Sequence, residues 1–221
     1  MHVDVLRHIG AVTREVASRE HEGRPARVVL ATRHYPTDID DAWDALTSEE
    51  RIPRWFMPIS GELRLGGRYQ LQGNAGGTIN ECEPPRRLAV TWEFGGATSW
   101  VFVTLTEEAE ESTRLELEHV CHVDDQYLQF WDQFGPGAVG VGWDLALLGL
   151  ALHLETGASV APEASAEWTA SDNYRDYARQ SSQGWGRASE AFGTDPEAAA
   201  AAADRTTDFY TGSGHKEGEP G

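Results

Sequence analysis

The stretch from Arg51 to Leu154 decides the fold of this 221-residue chain. It contains RWFMP at 54–58, LGGRY at 65–69, PPRRLAVTWE at 84–93 and TRLELEH at 113–119, and it closes with an apolar run from Gly142 to Leu154. Apolar side chains at every second position are typical of half-buried strands, and the closing run has helical spacing. The pattern predicts a curved sheet around an apolar interior that can serve as a ligand cavity.

The predicted sheet has strands at about 61–71, 76–83, 88–95, 98–107 and 112–123. The glycine pairs at 66–67, 76–77 and 95–96 predict turns between strands. No helix follows the first two pairs, so a phosphate-binding loop is not expected there. In the last strand, Leu115, Leu117 and His119 share the inward face, whereas a shift of one residue would turn His122 inward.

The flanking segments extend this central stretch on both sides. Residues 9–20 and 26–35 predict an N-terminal hairpin, and helices are predicted from Thr37 or Asp38, over 48–56 and over 138–154 with a wide apolar stripe. An aromatic-rich linker is expected over 124–137, and two further helices over 166–191 and 195–209. We expect one α+β domain over 1–154, a helical extension over 155–211 packed on it, and a disordered tail over 212–221.

Composition restricts the partners. The net charge is −18, which disfavours nucleic acid and anionic membranes. Cys82 and Cys121 lie in separate predicted strands and are expected to be reduced. No secretory signal is evident, and no apolar run approaches the roughly eighteen residues of a membrane span, so a soluble cytoplasmic protein is expected.

The order of elements resembles the helix-grip arrangement of the START-like superfamily. Over about 27–154, the motifs quoted above resemble the family related to the activator of the heat-shock-protein-90 ATPase, whose bacterial members are labelled SRPBCC or polyketide cyclase-like proteins. The resemblance implies a curved antiparallel sheet wrapped around a long C-terminal helix, with a cavity between them. It implies no particular activity, because proteins with this fold include carriers, cyclases and co-chaperone domains.

The residues expected to line the cavity are large and mostly aromatic, as small-molecule sites require. They are Trp55, Tyr69, Trp92, Trp100, Phe102, His119, Trp143 and Leu147. The alternative is that these side chains fill the space as ordinary core. His119 could bond a ligand or move a proton, although an inward histidine is more often paired within the core.

Neither catalysis nor a metal site is indicated by the sequence. There is no GxSxG elbow, and the paired carboxylates fall in predicted turns. His119, Cys121 and His122 are close in sequence, but His119 and His122 face opposite sides of a strand and no fourth ligand is suitably spaced. We therefore expect no catalytic residues, no metal and no cofactor.

The leading hypothesis is a binding protein that takes an apolar or aromatic small molecule and performs no catalysis. One alternative is a polyketide cyclase or aromatase-like enzyme in which His119 or Tyr69 transfers a proton. Another is a co-chaperone-like interaction domain. Aromatic residues in the C-terminal helices are expected to dock these helices on the domain, the alternative being a homodimer interface.

Overall fold

The computed structural model describes residues 4–160 and 165–213, so the predicted tail lies outside these ranges beyond Ser213. The strands are β1 (Val12–His21), β2 (Arg24–Tyr35), β3 (Ile59–Gly61), β4 (Arg68–Leu71), β5 (Gly76–Glu83), β6 (Arg87–Phe94), β7 (Ala97–Ala109) and β8 (Ser112–His122). The helices are α1 (Val5–Gly10), α2 (Ile39–Thr47), α3 (Ile52–Trp55), α4 (Asp125–Phe134), α5 (Gly137–Thr156), α6 (Ala166–Thr169), α7 (Asp172–Phe192) and α8 (Pro196–Thr211).

Within the described ranges these strands form one curved antiparallel sheet in the order β1-β2-β8-β7-β6-β5-β4-β3. The predicted N-terminal hairpin is confirmed: His21 pairs with Arg24 across a two-residue turn. Glu22 and Gly23 both have positive φ, 48° and 73°, which matches the right-handed twist of the two strands. The chain has the predicted α+β helix-grip fold.

Helix α5 lies on the inner face of the sheet, the face that carries Val101, Val103, Leu115 and Leu117. The sequence predicts an apolar stripe on this helix, but thirteen of its twenty residues are buried. The reason is that α7 covers the side that faces away from the sheet: the Tyr177 hydroxyl donates to the Asp144 carbonyl at 2.8 Å. A helix that is covered on two sides needs apolar residues all round.

Helix α5 also corrects the expectation that no segment is long enough to span a membrane. By length and composition it passes that test, with a mean hydropathy of 1.5. However, 72% of the tested window is buried by the rest of the protein. Its apolar character is therefore accounted for by its place in the core.

Three predicted elements differ in the structure. The linker expected over 124–137 contains α4, because the Asp124 side chain caps the Tyr127 N–H and Trp131 is buried beneath the helix. The strand expected over 61–71 is divided into β3 and β4 by a turn through Gly66. The turn expected at Gly76-Gly77 is instead strand β5: a Cβ on Gly77 would lie 2.0 Å from the Thr91 carbonyl oxygen, so glycine permits close approach of β6 there.

Candidate functional site

Five of the ring-bearing residues on the inner face form a continuous series, which we call the aromatic row: Trp55, Phe56, Trp143, Trp92 and His119. Their successive ring centroids lie 5.4, 6.4, 4.9 and 6.2 Å apart. The row crosses from α3 to α5 and on to β6 and β8, so it joins four elements that are distant in the chain. Spacings of this size are typical of interacting aromatic pairs.

His119 faces inward, as the alternation of β8 predicts, and it is 4% exposed. The indole Nε1 of Trp143 donates to His119 Nδ1 at 2.9 Å. Because an indole nitrogen can only donate, Nδ1 is the acceptor and the proton of the neutral ring resides on Nε2. That Nε2–H donates to the Ser99 hydroxyl at 2.8 Å, and Ser99 in turn donates to the Trp92 carbonyl at 3.2 Å.

This arrangement keeps the His119 ring neutral and engages both of its nitrogens in hydrogen bonds. Burial lowers its pKa to about 4, because the charged ring would lose its hydration. Both ring nitrogens are committed to protein partners. His119 therefore orients Trp143 and, through Ser99, the backbone at Trp92, and it has no free nitrogen with which to bond a guest.

Three other predicted site residues are also bonded within the protein. The Tyr69 hydroxyl donates to the Thr91 carbonyl at 2.8 Å, and burial raises the pKa of this phenol. The Trp55 indole donates to the Ala45 carbonyl at 2.8 Å. Leu147 is buried in the core, and its carbonyl accepts from the Tyr35 hydroxyl at 3.1 Å. These polar groups fix the walls of the site.

Trp100 and Phe102 are corrections to the predicted cavity lining. In β7 the inward residues are Val101, Val103 and Leu105, so both aromatic residues point to the outer face of the sheet. There Trp100 packs with Val28 and Val120, in a cluster separate from the main core, and its ring lies 4.4 Å from that of His21. Because the side-chain period of a strand is two, a shift of one residue exchanges the faces.

The inner side chains of β6 are less completely buried than those of β7 and β8. The main core and a smaller cluster of Tyr69, Leu71 and Ile79 both contact the same half-buried side chains, which we call the groove residues: Phe56, Leu88, Val90 and Trp92. Over β7 and β8, by contrast, the inward Val101, Leu105 and Leu115 are at most 4% exposed. Phe56, Leu88 and Val90 are absent from the predicted lining, although Leu88, Val90 and Trp92 share one face of the predicted strand.

Metal-ligand geometry is absent from the described part of the chain. Among residues 4–160 and 165–213, no group of three or more His, Cys, Asp or Glu residues could hold a metal ion. His119 faces inward, whereas the His122 ring lies 4.6 Å from Trp100 on the outer face. Cys82 and Cys121 are free thiols, and burial raises the pKa of Cys121 to about 11.

The fold and the aromatic-lined interior define a helix-grip protein of the START-like, SRPBCC class. The sequence profile described as Activator of Hsp90 ATPase homolog 1-like protein matches residues 36–155. The match covers more than half of the chain. The protein belongs to this family.

Solved structures agree with that assignment. The crystal structure of CalU16 from Micromonospora echinospora is 32% identical with a TM-score of 0.63, and the match covers 81% of this chain and 99% of CalU16. The solution NMR structure of CalU16 is 34% identical with a TM-score of 0.66, over 82% and 96% of the two chains.

A more distant match is DynU16, a protein in the dynemicin biosynthetic locus. It is 26% identical with a TM-score of 0.50, over 61% of this chain and 49% of DynU16. No curated protein matches the chain.

Proposed function

We propose that this protein binds an apolar or aromatic small molecule in the groove between β6 and α5, and that it does so without acid–base chemistry from the protein. The observation that carries the proposal is the partial exposure of the groove residues. They contact core side chains on two sides and still retain access to solvent. A concave, apolar, partly open surface is the usual form of a small-molecule site.

The chemistry of the walls favours a flat apolar guest. Phe56 and Trp92 offer ring surface, and Leu88 and Val90 offer aliphatic surface between them. Aromatic side chains hold other rings by offset or edge contacts. The net charge of −18 disfavours an anionic guest by long-range repulsion.

Binding is favoured over catalysis because the two candidate proton-transfer residues are already hydrogen-bonded within the protein. His119 is neutral with both nitrogens bonded, and the Tyr69 hydroxyl donates to a backbone carbonyl. A general acid or base must reach the proton that it transfers. The similarity to DynU16 supports a product or intermediate of small-molecule biosynthesis as the class of guest.

The test uses the neutral aromatic fluorophore N-phenyl-1-naphthylamine. The Val90→Trp change fills the groove with a larger side chain, and Phe102→Ala is the matched control because Phe102 is half-buried on the outer face. We expect Val90→Trp to weaken binding by about tenfold or more, which corresponds to about 1.4 kcal/mol, and Phe102→Ala to leave it unchanged. Equal affinities for all three proteins, each shown to be folded by circular dichroism, would place the site elsewhere.

A further inference from the structure

Two arginine side chains enter the interior from the neighbouring strands β1 and β2, and one of them bonds Asp144 of α5. Val12 pairs with Arg33 and Arg14 pairs with Ala31, so Arg14 and Arg33 are diagonal neighbours on the inner face of β1 and β2. The Arg14 side chain is 7% exposed and Arg33 is 3% exposed. Arginine is rarely buried to this extent unless it is paired.

Arg14 is only partly bonded by its surroundings. Its Nε donates to Asp144 Oδ2 at 2.8 Å, and its Nη1 donates to the carbonyls of Ile9 and Val12 at 3.2 and 2.9 Å. Its Nη2 is buried and has no partner among the described residues.

Arg33 makes fewer hydrogen bonds than Arg14. Its Nη2 donates to His8 Nδ1 at 2.8 Å, whereas Nε and Nη1 are buried and have no partner in the described part of the chain. Its guanidinium lies 5.4 Å from the centre of the Tyr35 ring. Three buried donor groups of the two arginines are therefore left for a further acceptor. Asp144 Oδ1, on the carboxylate that bonds Arg14, is likewise buried without a partner among the described residues.

The charges around the arginines do not cancel. Asp144 is the carboxylate that faces them; burial raises its pKa, but hydrogen bonds from Arg14, Ser181 and Trp185 oppose that rise and favour the ionised form. His8 accepts from Arg33, and burial together with Arg33 lowers its pKa, so it is neutral.

The other carboxylates that act on His8 are Asp4 and Glu155, and both contact Arg7. The Tyr35 and Tyr177 hydroxyls donate to backbone carbonyls. Arg7 and Glu155 form an ion pair with each other. Two guanidinium groups and one carboxylate thus leave one buried positive charge in excess.

We propose that Arg33 and Arg14 bind a small monovalent anion of about the size of chloride between β1, β2, α5 and α7. Water could accept hydrogen bonds from the three free donors, but it would leave the excess charge in place. An anion would accept these hydrogen bonds and would also compensate the excess positive charge. Compensation matters because an unpaired buried charge is strongly unfavourable. Asp144 also accepts hydrogen bonds from Ser181 and Trp185 of α7, so the anion would stabilise the contact between α7 and the sheet.

Thermal unfolding at constant ionic strength tests the proposal, with sodium bromide replacing sodium gluconate. Bromide is a small monovalent anion, like the one proposed, whereas gluconate is a bulky organic anion. Arg33→Met removes two of the three free donors and the excess charge while keeping a side chain of similar length. Arg19→Met is the matched control, because Arg19 is exposed on the outer face and pairs with Glu118.

We expect bromide to raise the unfolding midpoint of the unchanged protein and of Arg19→Met by about 3 °C once it exceeds its dissociation constant about tenfold. Arg33→Met should lose this response. Equal responses of all three proteins would overturn the proposal.

Crystals of the unchanged protein grown with bromide provide a second test that does not depend on a variant that folds. An anomalous bromine peak within hydrogen-bond distance of Arg33 Nη1 supports the site. Water alone at that position would refute it.

Discussion

At the scale of single residues, His119 illustrates what strand alternation can and cannot predict. Its inward direction follows from the alternation with Leu115 and Leu117, and the structure confirms it. Its role could not be predicted, because its partners Ser99 and Trp143 lie 20 and 24 residues away in sequence. Those partners convert a candidate acid–base group into a fixed support for the aromatic row.

The low pKa of His119 predicts a dependence of stability on pH. The folded pKa is about 4 and the unfolded value is about 6.5, so the unfolded chain binds the proton more tightly. The stabilisation is complete above pH 6.5 and is lost as the pH falls toward 4. Between pH 7.5 and 5 we expect His119 to account for about 2 kcal/mol of the loss in unfolding free energy.

Chemical denaturation of the unchanged protein and of His119→Gln at both pH values measures this contribution. Glutamine does not titrate, so the variant should lose less stability on acidification even if it is less stable at pH 7.5. Parallel losses in the two proteins would show that His119 is not the titrating group.

Trp100 and Phe102 show the limit of the residue scale. Large aromatic side chains suggest a ligand cavity, yet the smaller Val101 and Val103 between them face the interior. A strand with apolar residues on both faces carries no local signal for which face is inward. The main core and the outer cluster around Trp100 decide it, and both are tertiary contacts.

At the scale of elements, α5 depends on glycine for its contact with α7. A Cβ on Gly140 would lie 2.3 Å from Cε2 of Trp185, a ring that is fully buried and cannot move aside. Gly140→Ala should therefore separate the two helices and destabilise the protein by about 1–3 kcal/mol, despite the better helix propensity of alanine.

Gly10→Ala is the control for this prediction, since nothing lies within 4 Å of a Cβ at that position. Urea denaturation of the two variants makes the comparison. If Gly140→Ala is as stable as Gly10→Ala, the close packing of α5 on α7 is wrong.

Helices α1 and α4 are elements that sequence reasoning missed, and α4 shows why. Tyr127 and Trp131, and likewise Phe130 and Phe134, are four residues apart, which is helical spacing. A tertiary contact also stabilises α4, because the Arg27 guanidinium of β2 lies 4.2 Å from the centre of the Trp131 ring. The break after α4 was correctly predicted at Gly135, which has a φ of 59°.

At the scale of the whole molecule, α7 is required to complete the burial of α5. The Trp185 and Tyr177 side chains are 0% exposed and cover the side of α5 that faces away from the sheet. A chain that ends at Gly157 would expose this apolar side and leave Asp144 without Ser181 and Trp185.

We expect that shortened chain to lose cooperative thermal unfolding and to bind 8-anilinonaphthalene-1-sulfonate, as loosely packed states do. Calorimetry and dye fluorescence compare it with the full chain. A sharp transition at the midpoint of the full chain, without dye binding, would contradict the role assigned to α7.

By itself, the sequence determined the order of elements along the chain and, through the resemblance of its motifs, the family and the fold class. These follow from local periodicity, turn residues and motifs, which can be recognised without knowledge of contacts between distant parts of the chain. The tertiary structure alone decided which apolar residues stay partly open to solvent, that both nitrogens of His119 are bonded, and that Arg14 and Arg33 are buried on the same inner face. Those features depend on side chains brought together from elements far apart in the chain, and burial and charge balance exist only after that assembly.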